Sequence, residues 1–194
     1  TNGPHLVKLT GYKFLTNDTC IDVVAWSIYV WELPNVNYTV ADSCLGDTSQ
    51  FINLSTPGID APLLSSPYNW IFHDTPYAYS TDINPQHTFV NCGTDSTKLI
   101  VIDENLCQDS ITKAVIIACP PIAGFIWDTT VCDGIPMCLN DTSIEFQYPI
   151  NDWDWDIYGG SYVSSSPENP CYLFDSCGSN KPIMLTVTDG LGCS

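Results

Sequence analysis

Three imidazoles, three carboxylates in alternation and ten cysteines are the side chains of this 194-residue sequence best equipped for chemistry. Histidine is the usual proton carrier near neutral pH, and only His5, His73 and His87 are present. Asp74 follows His73 and gives it a neighbouring carboxylate, yet no Gly-x-Ser-x-Gly turn or other nucleophile motif accompanies the pair. The sequence is therefore expected not to encode an enzyme. Asp152-Trp-Asp154-Trp-Asp156 places three carboxylates on one face of a strand and Trp153 and Trp155 on the other. Oxygens at that spacing suit Ca²⁺. The glycine and closing glutamate of a helix–loop–helix calcium site are missing, so an acidic face in water is the simpler expectation. Asp103 and Asp189 are weaker candidates of the same kind, and no other cofactor is implied. The cysteines form no C-x-x-C pair, and with three histidines beside them zinc is not expected. They point instead to disulfides and to an oxidising, extracellular compartment.

Charge narrows the partners. The formal net charge is −17, with five Lys plus Arg. A nucleic-acid surface needs clustered cations, so nucleic acid is excluded, and docking on anionic lipid is excluded for the same reason. No apolar run approaches the ~20 residues of a membrane helix, so membrane insertion is not expected. No leader is recognisable, and the chain opens at Thr1 as a mature or excised segment would. Asn17-Asp-Thr, Asn37-Tyr-Thr, Asn53-Leu-Ser and Asn140-Asp-Thr are N-x-S/T acceptors, so covalently attached glycans are candidate partners.

The elements that must position these residues are strands. Lys98-Leu-Ile-Val-Ile102, Ala114-Val-Ile-Ile117 and Ile183-Met-Leu-Thr-Val187 alternate, carry β-branched residues and are bounded by Pro, Gly, Asn and Asp. Val23–Trp31 is apolar enough for a helix, but its β-branched and aromatic content predicts a strand. The order of motifs also repeats. Pro34 to Cys44 matches Pro121 to Cys132, and Asn53-Leu-Ser55 matches Asn140-Asp-Thr142. Trp70-Ile-Phe-His matches Trp155-Asp-Ile-Tyr, and Asn84-Pro85-Gln-His-Thr-Phe89 matches Asn169-Pro170-Cys-Tyr-Leu-Phe174. Cys92-Gly93 matches Cys177-Gly178, Leu99–Asp103 matches Leu185–Asp189, and Cys107 matches Cys193.

These blocks, over residues 34–194, resemble the PKD family of Ig-like domains. The likeness is to the Cys-containing PKD-like repeats of large secreted, Bacteroidetes-type bacterial surface proteins. The resemblance implies an all-β chain of tandem Ig-like antiparallel sandwiches. The divisions are a strand-bearing N-terminal segment over 1–32, a first repeat over 33–120 and a second over 121–194. It makes His87 a structural hydrogen-bonding residue whose place Tyr172 takes in the second repeat. It puts Cys44 before strand B and Cys92 in the E–F turn, which implies bridges Cys44–Cys92 and Cys132–Cys177. Cys138 and Cys171 fall on neighbouring strands and are a third candidate pair. Cys119 faces the F–G loop of the second repeat, so Cys119–Cys193 is a candidate across the junction, and Cys20 and Cys107 are left to pair between subunits. Asp95-Ser96-Thr97, Asp109-Ser110-Ile111 and Asp128-Thr129-Thr130 are similar to a Bacteroidetes-type O-glycosylation motif, which makes Ser96, Ser110 and Thr129 candidates.

The repeats are out of frame with the chain. The second repeat stops at Cys193-Ser194 without a last strand, while Cys20–Val30 aligns with the strand that follows Cys107. Either the chain is a window on a longer array, or the N-terminal strand of one subunit completes the last repeat of the next. In the second case Val24, Trp26, Ile28 and Val30 are the donor side chains, and copies join head to tail in a filament. The expected function is a non-catalytic unit of a surface fibre. The alternative is a PKD-type spacer or carbohydrate-binding module of a larger secreted adhesin or hydrolase. Trp70 and Trp155 are core positions by the repeat alignment, whereas Trp26, Trp31, Trp127, Tyr77 and Tyr79 are left unplaced by it and are candidates for contacts between domains, under the donor strand or with sugar.

Overall fold

A computed structural model of the chain describes residues 2–59, 61–74, 76–127, 134–158, 160–163, 166–174 and 182–194. Every regular element there is a strand, in keeping with the alternation in the sequence, and Val23–Val30 is strand rather than helix. No helix is long and apolar enough to cross a membrane among the described residues. The first two strands, β1 (Gly3–Phe14) and β2 (Thr19–Val30), pair with each other end to end, from Gly3↔Val30 to Phe14↔Thr19. Gly58 fixes the root of this hairpin. A Cβ there would meet the Glu32 carbonyl oxygen at 2.4 Å, and the neighbouring Ile59 N–H donates to Glu32 Oε2 at 3.0 Å.

The first sandwich comprises β3 (Tyr38–Val40), β4 (Ser43–Cys44), β5 (Ser49–Asn53), β6 (Leu63–Phe72), β7 (Ala78–Ser80), β8 (Gln86–His87), β9 (Gly93–Asp103) and β10 (Gln108–Ala118). One sheet runs β4-β10-β9-β6-β7 and the other β3-β5-β8. The alternating pattern of β9 drives Leu99 and Val101 inward against Trp70 and Phe72 of β6. Val36, Tyr38, Phe51, Phe89, Val115 and Ile117 complete the core. Trp70 is 0% exposed and makes edge contact with Tyr38, ring centroids 5.1 Å apart.

The buried phenol of this core is bonded, as burial favours. The Tyr38 hydroxyl donates to the Thr97 carbonyl at 2.5 Å and accepts from the Lys113 N–H at 3.1 Å. Burial pushes the Tyr38 pKa up to about 12, against a smaller opposing pull from the Lys113 N–H. A raised phenol pKa stabilises the fold fully below the unfolded value near 10, and that contribution is lost as pH climbs from there to the folded value. Wild type is thus expected to lose about 2 kcal/mol across that alkaline window, and Tyr38→Phe to lack that part of the fall. Chemical denaturation between pH 9 and about 12 measures it.

The second sandwich comprises β11 (Phe125–Trp127), β12 (Met137–Asp141), β13 (Ile150–Ile157), β14 (Gly160–Tyr162), β15 (Cys171–Phe174) and β16 (Ile183–Asp189). Its sheets run β11-β12-β15-β14 and β13-β16. The same hydrogen bonds hold both sandwiches. Trp70 Nε1 donates to the Asp82 carbonyl and Trp155 Nε1 to that of Pro167, each at 2.9 Å. Phe51 N–H donates to the Pro85 carbonyl at 3.0 Å, and Leu139 N–H to that of Pro170 at 2.9 Å. Asn84 Oδ1 accepts from Asn53 N–H at 2.8 Å, and Asn169 Oδ1 from Asp141 N–H at 2.9 Å. This last pair corrects the sequence alignment, because the counterpart of Asn53 is Asp141 and not Asn140. The N-x-S/T acceptors Asn53 and Asn140 are therefore offset by one residue and face differently.

Cys138 pairs across the ladder with Cys171 and is disulfide-bonded to it, Cα–Cα 4.0 Å. In the first sandwich the same rung is Gln50↔Gln86, and Gln86 Nε2 donates to Gln50 Oε1 at 2.9 Å. A Gln50→Cys/Gln86→Cys double variant is expected to close a bridge there. The oxidised form should be more stable than its reduced form by roughly 2–4 kcal/mol, since the crosslink restricts the unfolded chain. Urea melts of the two forms check it.

Two expected bridges are replaced. Cys44 bonds to Cys193 (Cα–Cα 5.5 Å) and Cys92 to Cys119 (5.0 Å), in place of Cys44–Cys92 and Cys119–Cys193. The reason is the position of β4. It runs parallel to the end of β10, with Ala118 opposite Cys44, whereas Gly93 pairs with Ile117 on the other flank of β10. Cys44 and Cys92 thus lie on opposite sides of β10 and cannot meet. Cys92 instead faces the residue that leaves β10, and Cys44 reaches the turn after β16.

Candidate functional site

Two surfaces of the chain are unfinished, and each comes from a local pattern. The first is the hairpin. β1 and β2 are rich in β-branched and aromatic residues on both faces, which favours extended pairing. Their register puts Val7 and Leu9 on one face with Val24, Trp26, Ile28 and Val30. All six side chains are exposed, Trp26 at 71%. A lone two-stranded ribbon is marginal in water, and an apolar face of this size marks a contact surface.

The hairpin also has a template within the chain. In β9–β10 Leu99 pairs with Ile111, Thr97 with Lys113 and Gly93 with Ile117. In β1–β2 Leu9 pairs with Val24, Val7 with Trp26 and Gly3 with Val30. Gly3 and Gly93 share a positive φ, 109° and 123°, a conformation that favours glycine at the strand start. The four donor residues named from sequence thus hold the places of Ile111, Lys113, Val115 and Ile117, the inward row of β10. The strand before them runs from Gly3 to Phe14.

The second unfinished surface is the outer edge of β16. In the first sandwich β9 lies between β6 and β10, whereas β16 pairs with β13 and has no further partner among the described residues. The core beside it is under-covered. Trp155 pairs with Leu185 as Trp70 pairs with Leu99, yet Trp155, Trp153, Phe125 and Ile183 all keep part of their surface exposed, where Trp70 keeps none. An unpaired strand edge over a partly covered core is a ready site for strand addition.

The two sandwiches are tied at their junction. Besides the Cys44–Cys193 bond, the Tyr148 hydroxyl donates to Asp42 Oδ2 at 2.5 Å and Cys119 N–H to Gln147 Oε1 at 3.0 Å. The hydrogen bond to the Asp42 carboxylate raises the Tyr148 pKa. Cys193 sits in a turn built on Asp189, whose Oδ1 accepts N–H donors from Leu191, Gly192 and Cys193. Asp103 does the same for Asn105 and Cys107. Both aspartates serve as turn anchors. Cys107 and Cys20 carry free thiols, Cys20 exposed and Cys107 half-buried.

The remaining chemical candidates are dispersed. Asp152, Asp154 and Asp156 face outward from β13, with Trp153 and Trp155 on the inner face. Among the described residues no three His, Cys, Asp or Glu converge as a metal site. His87 Nε2 lies 2.9 Å from Oδ2 of the buried Asp74, and its ring stacks on Phe72 at 4.1 Å. His73 Nδ1 meets the Ser96 carbonyl at 3.0 Å and the Ser96 hydroxyl at 3.2 Å. A carbonyl only accepts, so Nδ1 carries the proton there and is not a base toward Ser96. Asn17 in the hairpin turn, Asn140 and Ser110 are exposed. Asn37 is exposed with its Oδ1 bound by Lys113 Nζ at 2.8 Å, and Asn53 is half-buried with its Oδ1 bound by Ser55 N–H. Thr129, Cys132 and Cys177 lie outside the described residues.

No family model matches the sequence, and no curated protein matches it. Solved structures do. The chain is similar to the PKD1 domain of Vibrio anguillarum Epp, at 19% identity and TM-score 0.40 over 46% of this chain and 99% of that one. It is similar to a Bacteroides ovatus mixed-linkage glucan utilization locus protein, SGBP-B, solved with a heptasaccharide, at 16% identity and TM-score 0.33 over 82% of this chain and 44% of that one. It is also similar to the cadherin domains of Protocadherin Gamma B7, at 10% identity and TM-score 0.30 over 96% of this chain and 57% of that one.

Proposed function

We propose that this chain is a non-catalytic structural unit of an extracellular fibre, in which the strand β2 of one unit completes the second sandwich of the next. The observation that carries this reading is the match between the two unfinished surfaces. The hairpin exposes the inward row of a last strand, and β16 has an edge where such a strand belongs. Successive units joined in this way are related head to tail, and the contact does not close on itself, so a filament results. Affinity comes from main-chain ladder bonds, and specificity from alternate side chains in pockets. The three disulfides among the described residues, one within each sandwich and one across the junction, suit a load-bearing element in an oxidising compartment.

A second reading has its own observation. The β1–β2 register is that of β9–β10, as the closing hairpin of a preceding sandwich in a longer array would be. The chain is then a PKD-type spacer or carbohydrate-binding segment of a larger secreted adhesin or hydrolase, with exposed Tyr77 and Tyr79 among its candidate sugar contacts. The experiment that separates the two removes residues 1–32. The fibre reading expects helical filaments of the full chain, with an axial repeat of two or three sandwiches by electron microscopy, and monomers of the shortened one by light scattering. Filaments that persist without residues 1–32, or a full chain that stays monomeric, overturn it.

A further inference from the structure

The polar and apolar residues around the open edge differ from those of the first sandwich in a correlated way. Around β10, Lys113 lies beside the buried Thr97, its N–H bonds the Tyr38 hydroxyl, and its Nζ stands 5.0 Å over the Tyr38 ring. Around β16 the place of Thr97 is held by Ile183, opposite Ile157 as Thr97 is opposite Phe72. The place of Tyr38 is held by Phe125, opposite Asp141 as Tyr38 is opposite Asn53. Both changes remove a hydroxyl. Lys113 Nζ also donates to Asn37 Oδ1 at 2.8 Å, and the place of Asn37 is held by Gly124, whose N–H bonds Ser143 Oγ as that of Asn37 bonds Ser55 Oγ. A lysine in the last strand would lose that side-chain acceptor, whereas a large apolar ring would gain partners in a pocket without hydroxyls. β2 makes that change. Counting from Cys20 as from Cys107, it keeps the aspartate (Asp22 for Asp109) and the aliphatic positions (Val24, Ile28 and Val30 for Ile111, Val115 and Ile117), and has Trp26 where β10 has Lys113.

Resting on the fibre reading above, we propose that the edge of β16 seats β2 of a second copy in one register. That register is antiparallel, with Val24 opposite Leu185, Trp26 opposite Ile183 and Asp22 opposite Val187, and Trp26 closes the pocket formed by Phe125, Trp155 and Ile183. β1 travels with β2 and becomes the outermost strand, giving the order β13-β16-β2-β1 across the contact. Charge favours the second copy as occupant. Residues 1–31 hold two lysines and two aspartates, so the whole −17 resides on the remainder of the chain. The hairpin therefore docks without adding like charge to an acidic body. The pocket also sets direction. β2 is matched to β16, and the Tyr38, Thr97 and Lys113 triad of the first sandwich is already complete.

The register is tested with two variants mixed as separate chains, each carrying one added cysteine, Thr186→Cys or Val23→Cys, in a Cys20→Ser/Cys107→Ser background. Both positions are exposed, so the core is untouched. A copper–phenanthroline oxidant closes the bridges, and non-reducing peptide mapping reads them. The expected result is a 186–23 link between copies at roughly tenfold the yield of 186–21 or 186–25 links from the matching Ile21→Cys and Ala25→Cys chains, since register on a half-buried strand is strongly specified. Filaments whose links favour a shifted rung, or none, overturn the register and leave the fibre reading standing. A Thr186→Cys/Val23→Cys chain that links within itself at low concentration overturns the second copy as occupant. The absence of both filaments and links overturns the register together with the reading it rests on.

Discussion

Trp26→Asp is expected to abolish head-to-tail assembly while leaving the stability of the free monomer within about 0.5 kcal/mol of wild type, the usual range for an exposed site. The two effects separate because the Trp26 side chain is 71% exposed and so contributes little to the packing of its own chain. In the assembled state the same position faces Phe125, Trp155 and Ile183, whose edges offer no hydrogen-bond donor to a carboxylate. An unpaired charge enclosed there costs about 3–5 kcal/mol, or roughly a hundred- to several-thousand-fold in the dissociation constant. Trp26→Phe keeps the apolar ring and should retain most of the affinity. Sedimentation of the variants against wild type, with urea melts of the monomers alongside, reads both quantities. Equal assembly by Trp26→Asp and Trp26→Phe would show that the inner row of β2 is not at the contact.

Much of this arrangement is legible in the residues themselves. Strand identity follows from alternation and β-branching, and Trp70 and Trp155 announce equivalent places because each is followed at the same distance by its carbonyl partner. Val24, Trp26, Ile28 and Val30 are readable as one face of a strand from their spacing alone. What escaped is what depends on short elements without a period. β4 is two residues long, too short for any pattern, yet its parallel pairing beside β10 decides that Cys44 joins Cys193 and not Cys92. The alignment of Asn53 with Asn140 failed for a related reason. Both are followed by a Ser/Thr, and only the hydrogen bonds to Asn84 and Asn169 reveal that Asp141 holds the equivalent backbone position. The match between the hairpin and β9–β10 was half visible. Its cysteine and aspartate align, but β1 shares little sequence with β9 apart from a leucine and a positive-φ glycine, so its length emerged only from the register.

Truncating the two equivalent tryptophans should give unequal losses, and the inequality itself reports on the open edge. Trp70 is enclosed by Tyr38, Phe51 and Leu99, with no exposed surface. Trp70→Ala removes a fully packed ring and leaves a cavity that the paired sheets cannot collapse, so a loss of about 3–5 kcal/mol is expected. Trp155 has the same indole bond and the same leucine opposite, with Phe125 at 5.1 Å, but it keeps part of its surface exposed. Trp155→Ala in the monomer forfeits only the part of the ring that is already out of water, so its loss is smaller than that of Trp70→Ala by the share of area still exposed. Once β2 of a neighbour covers the edge, the ring becomes enclosed and the loss should rise toward that of Trp70→Ala, appearing as weaker association. Chemical denaturation of the 33–194 fragment measures the first quantity, and filament dissociation by the 1–194 variant measures the second. If the two tryptophans weigh the same in the monomer, the core beside β16 is already closed and needs no strand from outside. If Trp155→Ala is mild in the monomer and severe in the filament, the second sandwich is a fold that only its neighbour completes.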